Sequence, residues 1–82
     1  MPGKRKRIYL WLYNDDYNAA NYVQYILQTA CNLNPVTATQ LITICEAKGC
    51  CQVMSGFEPG IFGVYTTLVK AGLKVKLLDK KQ

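Results

Sequence analysis

The chain has 82 residues, half of them apolar, with a formal net charge of +5 and no histidine. That length holds one small domain in which nearly every apolar position must serve the core. The composition excludes imidazole, the commonest general acid–base at neutral pH. With neither a G-x-S-x-G elbow nor a phosphate-cradling glycine loop, the chain is expected not to be an enzyme.

Residues 1–7, "MPGKRKR", read as a disordered basic tail. "IYLWLY", Ile8 to Tyr13, is rich in β-formers and predicts a strand. It lacks strict polar alternation, so both its faces are expected to be covered at least in part. The run is too short for a secretory core or a bilayer span, which predicts an intracellular protein, cytoplasmic or of an organelle stroma, with no membrane partner.

Tyr22, Val23, Ile26, Leu27, Ala30 and Cys31 then recur at helical spacing and predict a first helix from about Ala19 to Cys31. Asn18 or Asp16 is its expected cap. Asn34 before Pro35 is a good N-cap and first-position pair, and Gly49 suits a helix end, so a second helix is expected over Pro35 to Lys48. A second strand over about Cys50 to Ser55 and a turn at "GFEPG" follow. "IFGVYTTLVKAG" predicts a third helix ended by Gly72, although its β-branched residues and Gly63 weaken helix propensity. "LKVKLL" alternates apolar and basic residues, as a half-exposed strand does. The order is β-α-α-β-α-β, an α+β arrangement in one domain over 8–79, with a disordered tail at 80–82.

Cys31, Cys45, Cys50 and Cys51 are expected to be free thiols, since nothing points to a secretory setting. Cys50 and Cys51 are adjacent, and on a strand they face opposite ways, which suits neither a chelate nor a mutual disulfide. A zinc site needs four ligands and no histidine is present, so neither metal nor cofactor is expected.

Lys4, Arg5, Lys6 and Arg7 cluster at one end, and Lys70, Lys74, Lys76, Lys80 and Lys81 at the other. Such ends suit nucleic acid or an acidic protein, so a small basic nucleic-acid- or ribosome-associated domain is one alternative function. Along the sequence, however, these residues lack interleaved aromatics or a groove-binding motif, and solvated tails are the simpler reading.

The stretch "LYNDDYNAANYV" sets Asp15 and Asp16 side by side between a strand and a helix, where a structural turn needs at most one carboxylate. As consecutive residues they diverge, which argues against a catalytic pair. Recognition of a cation is the better functional reading: Asp15 accepts from an ammonium, and Asn14 offers both a donor and an acceptor. Glu46 shares a turn of the second helix with Ile42 and Cys45 and reaches this loop if the two helices pack as a hairpin. Two carboxylates and an amide around a small apolar hole suit a free α-amino group carrying an apolar side chain. Spacing alone leaves open the simpler alternative, in which Asp15 and Asp16 only cap the first helix and Glu46 is solvated.

"LYNDDYNAANYVQYILQ" followed by "ATQLITICEAKG" resembles the ClpS family, adaptors that bind N-degron substrates for the Clp AAA+ protease. The resemblance runs from Ile8 to Gly49 without a gap. It implies a compact fold with a three-stranded antiparallel sheet and helices packed on it. It implies that Asn14 and Asp15 bind the α-amino group of a substrate's first residue, while the role of Asp16 is less defined. It places the side-chain pocket at Leu12, Tyr13, Asn18, Ala20, Val23, Ile42 and Cys45, with Val75 from the last strand. The implied partners are the N-terminal peptides of degradation substrates and a ClpA- or ClpC-type AAA+ unfoldase.

Three departures from the family pattern carry expectations. Glu46 stands where the family has a histidine that contacts the α-amino group, so cation binding is expected with a different pH response. Asn18 and Ala20 replace a threonine and a methionine; a smaller gate should admit bulkier or β-branched first residues. Members that deliver substrates carry a flexible extension before the first strand, where this chain has seven residues, and "CCQVMSGFEPG" replaces the usual run after the second strand. Substrate binding is therefore better supported than delivery.

Overall fold

The computed structural model describes residues 7–79; the tails expected at 1–7 and 80–82 lie outside the described residues except for Arg7, which is exposed. The elements follow the expected order: β1 (Ile8–Tyr13), α1 (Ala20–Ala30), α2 (Pro35–Lys48), β2 (Cys50–Gly56), α3 (Gly60–Lys70) and β3 (Lys74–Leu78). The strands form one sheet in the order β2-β1-β3, with both pairings antiparallel.

The most apolar strand, β1, takes the centre. Its Leu10 and Leu12 are buried and set the register of both neighbours: Leu12 faces Cys51 and Val75, and Leu10 faces Met54 and Leu77. An irregularity between Leu10 and Trp11 skips Val53 in the β1–β2 register, and Val53 is buried in the core. Leu27 of α1, Ala38 and Cys45 of α2, and Ile61 and Leu68 of α3 join Leu10 and Leu12 in one cluster, so the three helices cover one face of the sheet. Tyr9, Trp11 and Tyr13, at the alternate positions, point to the other face and are only half-buried.

Local chemistry accounts for most boundaries. Asn34 caps α2, its side chain accepting from the Thr37 N–H at 2.8 Å, with Pro35 in the first turn. Gly49 ends that helix at φ 91°, a left-handed position that an L side chain adopts with strain. α3 forms despite Gly63 and its β-branched residues because Ile61 and Leu68 are almost fully buried, a case of tertiary packing overriding propensity. The expectation for the start of α1 requires correction: Ala19 is its N-cap, and neither Asn18 nor Asp16 caps it.

Candidate functional site

The segment between β1 and α1 is held by its own carboxylate. Oδ1 of Asp15 accepts the backbone N–H groups of Tyr17 and Asn18, each at 2.8 Å, and Oδ2 accepts the Asn18 side-chain amide at 3.1 Å. Bonds from neighbouring N–H groups to an ionised carboxylate are charge-assisted and fold the loop back on itself. Asp15 thus organises the loop instead of capping the helix.

Two neighbouring turns fix this loop in place. The Asn14 N–H donates to the Gly49 carbonyl at 3.0 Å, tying the end of β1 to the α2–β2 turn. The Asn18 amide donates to the Gly72 carbonyl at 3.1 Å, and the Tyr22 hydroxyl to the Ala71 carbonyl at 2.7 Å, tying the start of α1 to the α3–β3 turn. Gly72, like Gly49, has a positive φ, of 90°.

Between the loop, α1 and α2 lies a cavity of about 60 Å³. Buried Leu12 and Cys45, with half-buried Val23 and Ile42, form its apolar side. Asn14, Ala20 and Glu46 are exposed at its rim, where half-buried Tyr13, Asp15 and Asn18 complete the lining. All three residues read as amine-binding and seven of the eight read as side-chain pocket are therefore brought together.

Two residues are not. Val75 pairs with Leu12 across the β1–β3 ladder, but it lines a neighbouring groove with Tyr65 and Val69 on the α3 side. It is not among the residues that line the cavity, a correction to its placement in the pocket. Asp16 is exposed and outside the lining. Adjacent residues at a strand end diverge, and Asp15 alone turns inward.

The rim is electronegative by construction. Partial burial by itself would raise the Asp15 carboxyl, but the hydrogen bonds from Asn18 and Tyr17 and the charge of Lys74 outweigh it, and the net shift is downward. Asp15 is thus held ionised. The Cys45 thiol is pushed up, chiefly by burial and further by the negative groups around it, Asp15 and Glu46 among them, against a hydrogen bond with Cys51. It donates to the Leu12 carbonyl at 3.6 Å, as a neutral thiol does. All four cysteines are free, and among the described residues no cluster of three or more His, Cys, Asp or Glu could hold a metal ion.

Sequence reasoning did not find Lys74 as a neighbour of Asp15. The K-x-K alternation of β3 was visible, but its register on β1, which sets Lys74 opposite Tyr13, was not. Lys4 to Lys6 and Lys80 and Lys81, the greater part of the terminal basic clusters, lie outside the described residues. No described helix is long and apolar enough to cross a membrane.

Comparison with known proteins bears on the fold. Residues 4–76 match the family model of ClpS, "ATP-dependent Clp protease adaptor protein ClpS". No curated protein matches the chain significantly. Among solved structures, the chain is similar to Agrobacterium tumefaciens ClpS2 bound to L-phenylalaninamide, with a TM-score of 0.80 and 16% identity over 94% of this chain and 100% of that one. At that identity the likeness shows the fold: three helices on a three-stranded antiparallel sheet.

Proposed function

Since the chain belongs to the ClpS family of ATP-dependent Clp protease adaptors, we propose that its cavity holds the first residue of an N-degron substrate. The free α-amino group meets Asn14, Asp15 and Glu46, and a bulky hydrophobic side chain enters the apolar hollow behind them. A ClpA- or ClpC-type unfoldase is the partner to which such a substrate would pass, and binding is the step this reading assigns to the chain.

The observation that carries this reading is the joining of one ionised carboxylate, one amide and a second carboxylate to an apolar hollow of about 60 Å³. Oδ1 of Asp15 is occupied by loop N–H groups, while Oδ2 accepts only the Asn18 amide among the described residues. A carboxylate oxygen has two lone-pair sites, so Oδ2 keeps one for an incoming ammonium. The hollow has room on the order of four or five water-sized groups, which suits a branched aliphatic side chain or the inner part of a ring. L-phenylalaninamide, the molecule bound to the Agrobacterium protein, carries a free α-amino group and an apolar side chain.

The magnitudes are sufficient. Burying a Leu- or Phe-sized side chain contributes about 1.5–3 kcal/mol, and each charge-assisted hydrogen bond to the ammonium contributes ~1.5–3 kcal/mol in a sheltered site. With one such bond to each of the three groups and an association cost of about 4 kcal/mol, the upper ends of these ranges reach an affinity on the order of micromolar.

The test is a fluorescence anisotropy titration with peptides that differ only in their first residue, each with a free and an acetylated amino end. Peptides beginning with Leu, Phe, Tyr or Trp should bind when free and lose binding when acetylated, because acetylation removes the charge that faces Asp15 and Glu46. Equal binding of acetylated peptides would overturn the proposal.

A further inference from the structure

The sheet face turned away from the helices is paved by its central strand. Tyr9, Trp11 and Tyr13 alternate along β1 and share that face, and Arg7 extends the same alternation by one step. Antiparallel pairing sets Lys76 directly opposite Trp11 and Lys74 opposite Tyr13. The Lys76 ammonium lies 5.4 Å from the centroid of the Tyr13 ring. Arg7 is anchored at the other end by a 3.0 Å hydrogen bond to the Ser55 hydroxyl and stands 4.9 Å from the Phe57 ring centroid. The three strands contain neither Asp nor Glu.

Aromatic and basic residues that are far apart in the chain are therefore interleaved across strands. We propose that this face binds single-stranded nucleic acid, with bases stacking on Tyr9, Trp11 and Tyr13 and phosphates meeting Arg7, Lys74 and Lys76. The occupant follows from the pairing of the two chemistries. Cations alone would serve any polyanion, but aromatic faces at every second position call for a ligand with flat, unpaired rings along an anionic backbone. A duplex hides its bases in the stack, and an acidic peptide leaves the aromatic row unused. This surface is separate from the hollow, which β1 borders with Leu12 from its opposite side; Tyr13 alone belongs to both.

Trp11 is the only tryptophan, so its fluorescence reports on this face directly. The full chain is titrated with a short oligouridine, the same sequence as a duplex, and a poly-glutamate peptide, at several salt concentrations. The single strand should quench Trp11 saturably, and the duplex and the peptide should not. Each lysine that meets a phosphate should contribute ~0.7 to the log–log salt slope, so Lys74→Gln combined with Lys76→Gln should flatten it by about 1.4. Tyr9→Ser should weaken binding on the order of tenfold. Lys74 and Lys76 are exposed, so their variants keep the fold, which circular dichroism verifies. Absent quenching, an unchanged slope in the double variant, or equal quenching by duplex or poly-glutamate would each overturn the proposal.

Discussion

Asn18 meets Asp15 twice, through its backbone N–H at 2.8 Å from Oδ1 and through its side-chain amide at 3.1 Å from Oδ2. The same amide also reaches the Gly72 carbonyl, so one asparagine joins the cavity rim to the α3–β3 turn. Asp15 is in consequence both the organiser of its loop and a wall of the hollow.

Asp15→Asn keeps one acceptor oxygen and removes the charge. Affinity for peptides with a free amino end should fall at least about tenfold, the loss of one charge-assisted bond. Stability should fall by about 1 kcal/mol as the loop bonds weaken. Anisotropy reads the first and urea unfolding the second. Full affinity in this variant would mean that the ammonium is held elsewhere.

Acid should expose the same group. Burial pushes the Asp15 carboxyl up, but the Asn18 and Tyr17 bonds and Lys74 pull it down further, and its folded value lies below the ordinary 3.8. The unfolded chain therefore takes up this proton first as pH falls. The stability it contributes is complete above about pH 4 and is lost as pH drops through the lowered folded value. The urea midpoint of the native chain should fall more steeply between pH 4 and pH 2 than that of Asp15→Asn. Parallel curves would remove the loop bonds from the stability of the fold.

Binding should respond to pH at the other end of the scale. With no histidine in the chain, no imidazole titrates at the rim. Peptide affinity should stay level from about pH 6 to 7 and decline as the peptide's own α-amino group deprotonates near pH 8. Glu46→His should add a step in the range where imidazole titrates. Glu46 is exposed, so Glu46→Gln should weaken binding only by a few-fold and chiefly at low salt. A step below pH 7 in the native chain would contradict this account.

The element order and most of the hollow were legible because they depend on local signals. Asn34-Pro35 and Gly49 marked both ends of α2, and Ile42, Cys45 and Glu46 then shared one helical face. Long-range register was not legible. Val75 went astray because nothing along the chain says which side of β1 its strand will occupy. The Lys74–Asp15 and Lys76–Tyr13 relationships were hidden for the same reason. The cap of α1 was misjudged because Asp15, Asp16 and Asn18 all offer the right side chain, and only the loop geometry decides that Asp15 bonds inward while Ala19 takes the cap position.

If Ala20 gates the hollow, enlarging its side chain should change which first residues bind. It lies at the rim of a hollow of about 60 Å³, and a methionine there adds three heavy atoms beside Val23 and Asn18. Ala20→Met should weaken peptides beginning with Ile or Val more than those beginning with Leu, because branching at Cβ widens a side chain close to the rim. A several-fold change in that preference, measured by competition, is expected. An unchanged ranking would show that position 20 does not gate the hollow.

The thiols supply an independent probe of how tightly the two helices close over the sheet. Burial pushes Cys51 up to about 12 and Cys31 up to about 11, from an ordinary value of 9.0. Only the thiolate reacts with iodoacetamide, so at pH 8 Cys51 should alkylate about a thousandfold more slowly than in the unfolded chain. Cys45, also raised by burial, lines the hollow, and its labelling should slow further when a peptide with a free amino end is bound. Protection that appears at Cys45 but not at Cys31, and only with unacetylated peptide, would place the ligand between α1 and α2. Equal protection of both thiols would instead indicate general tightening of the fold.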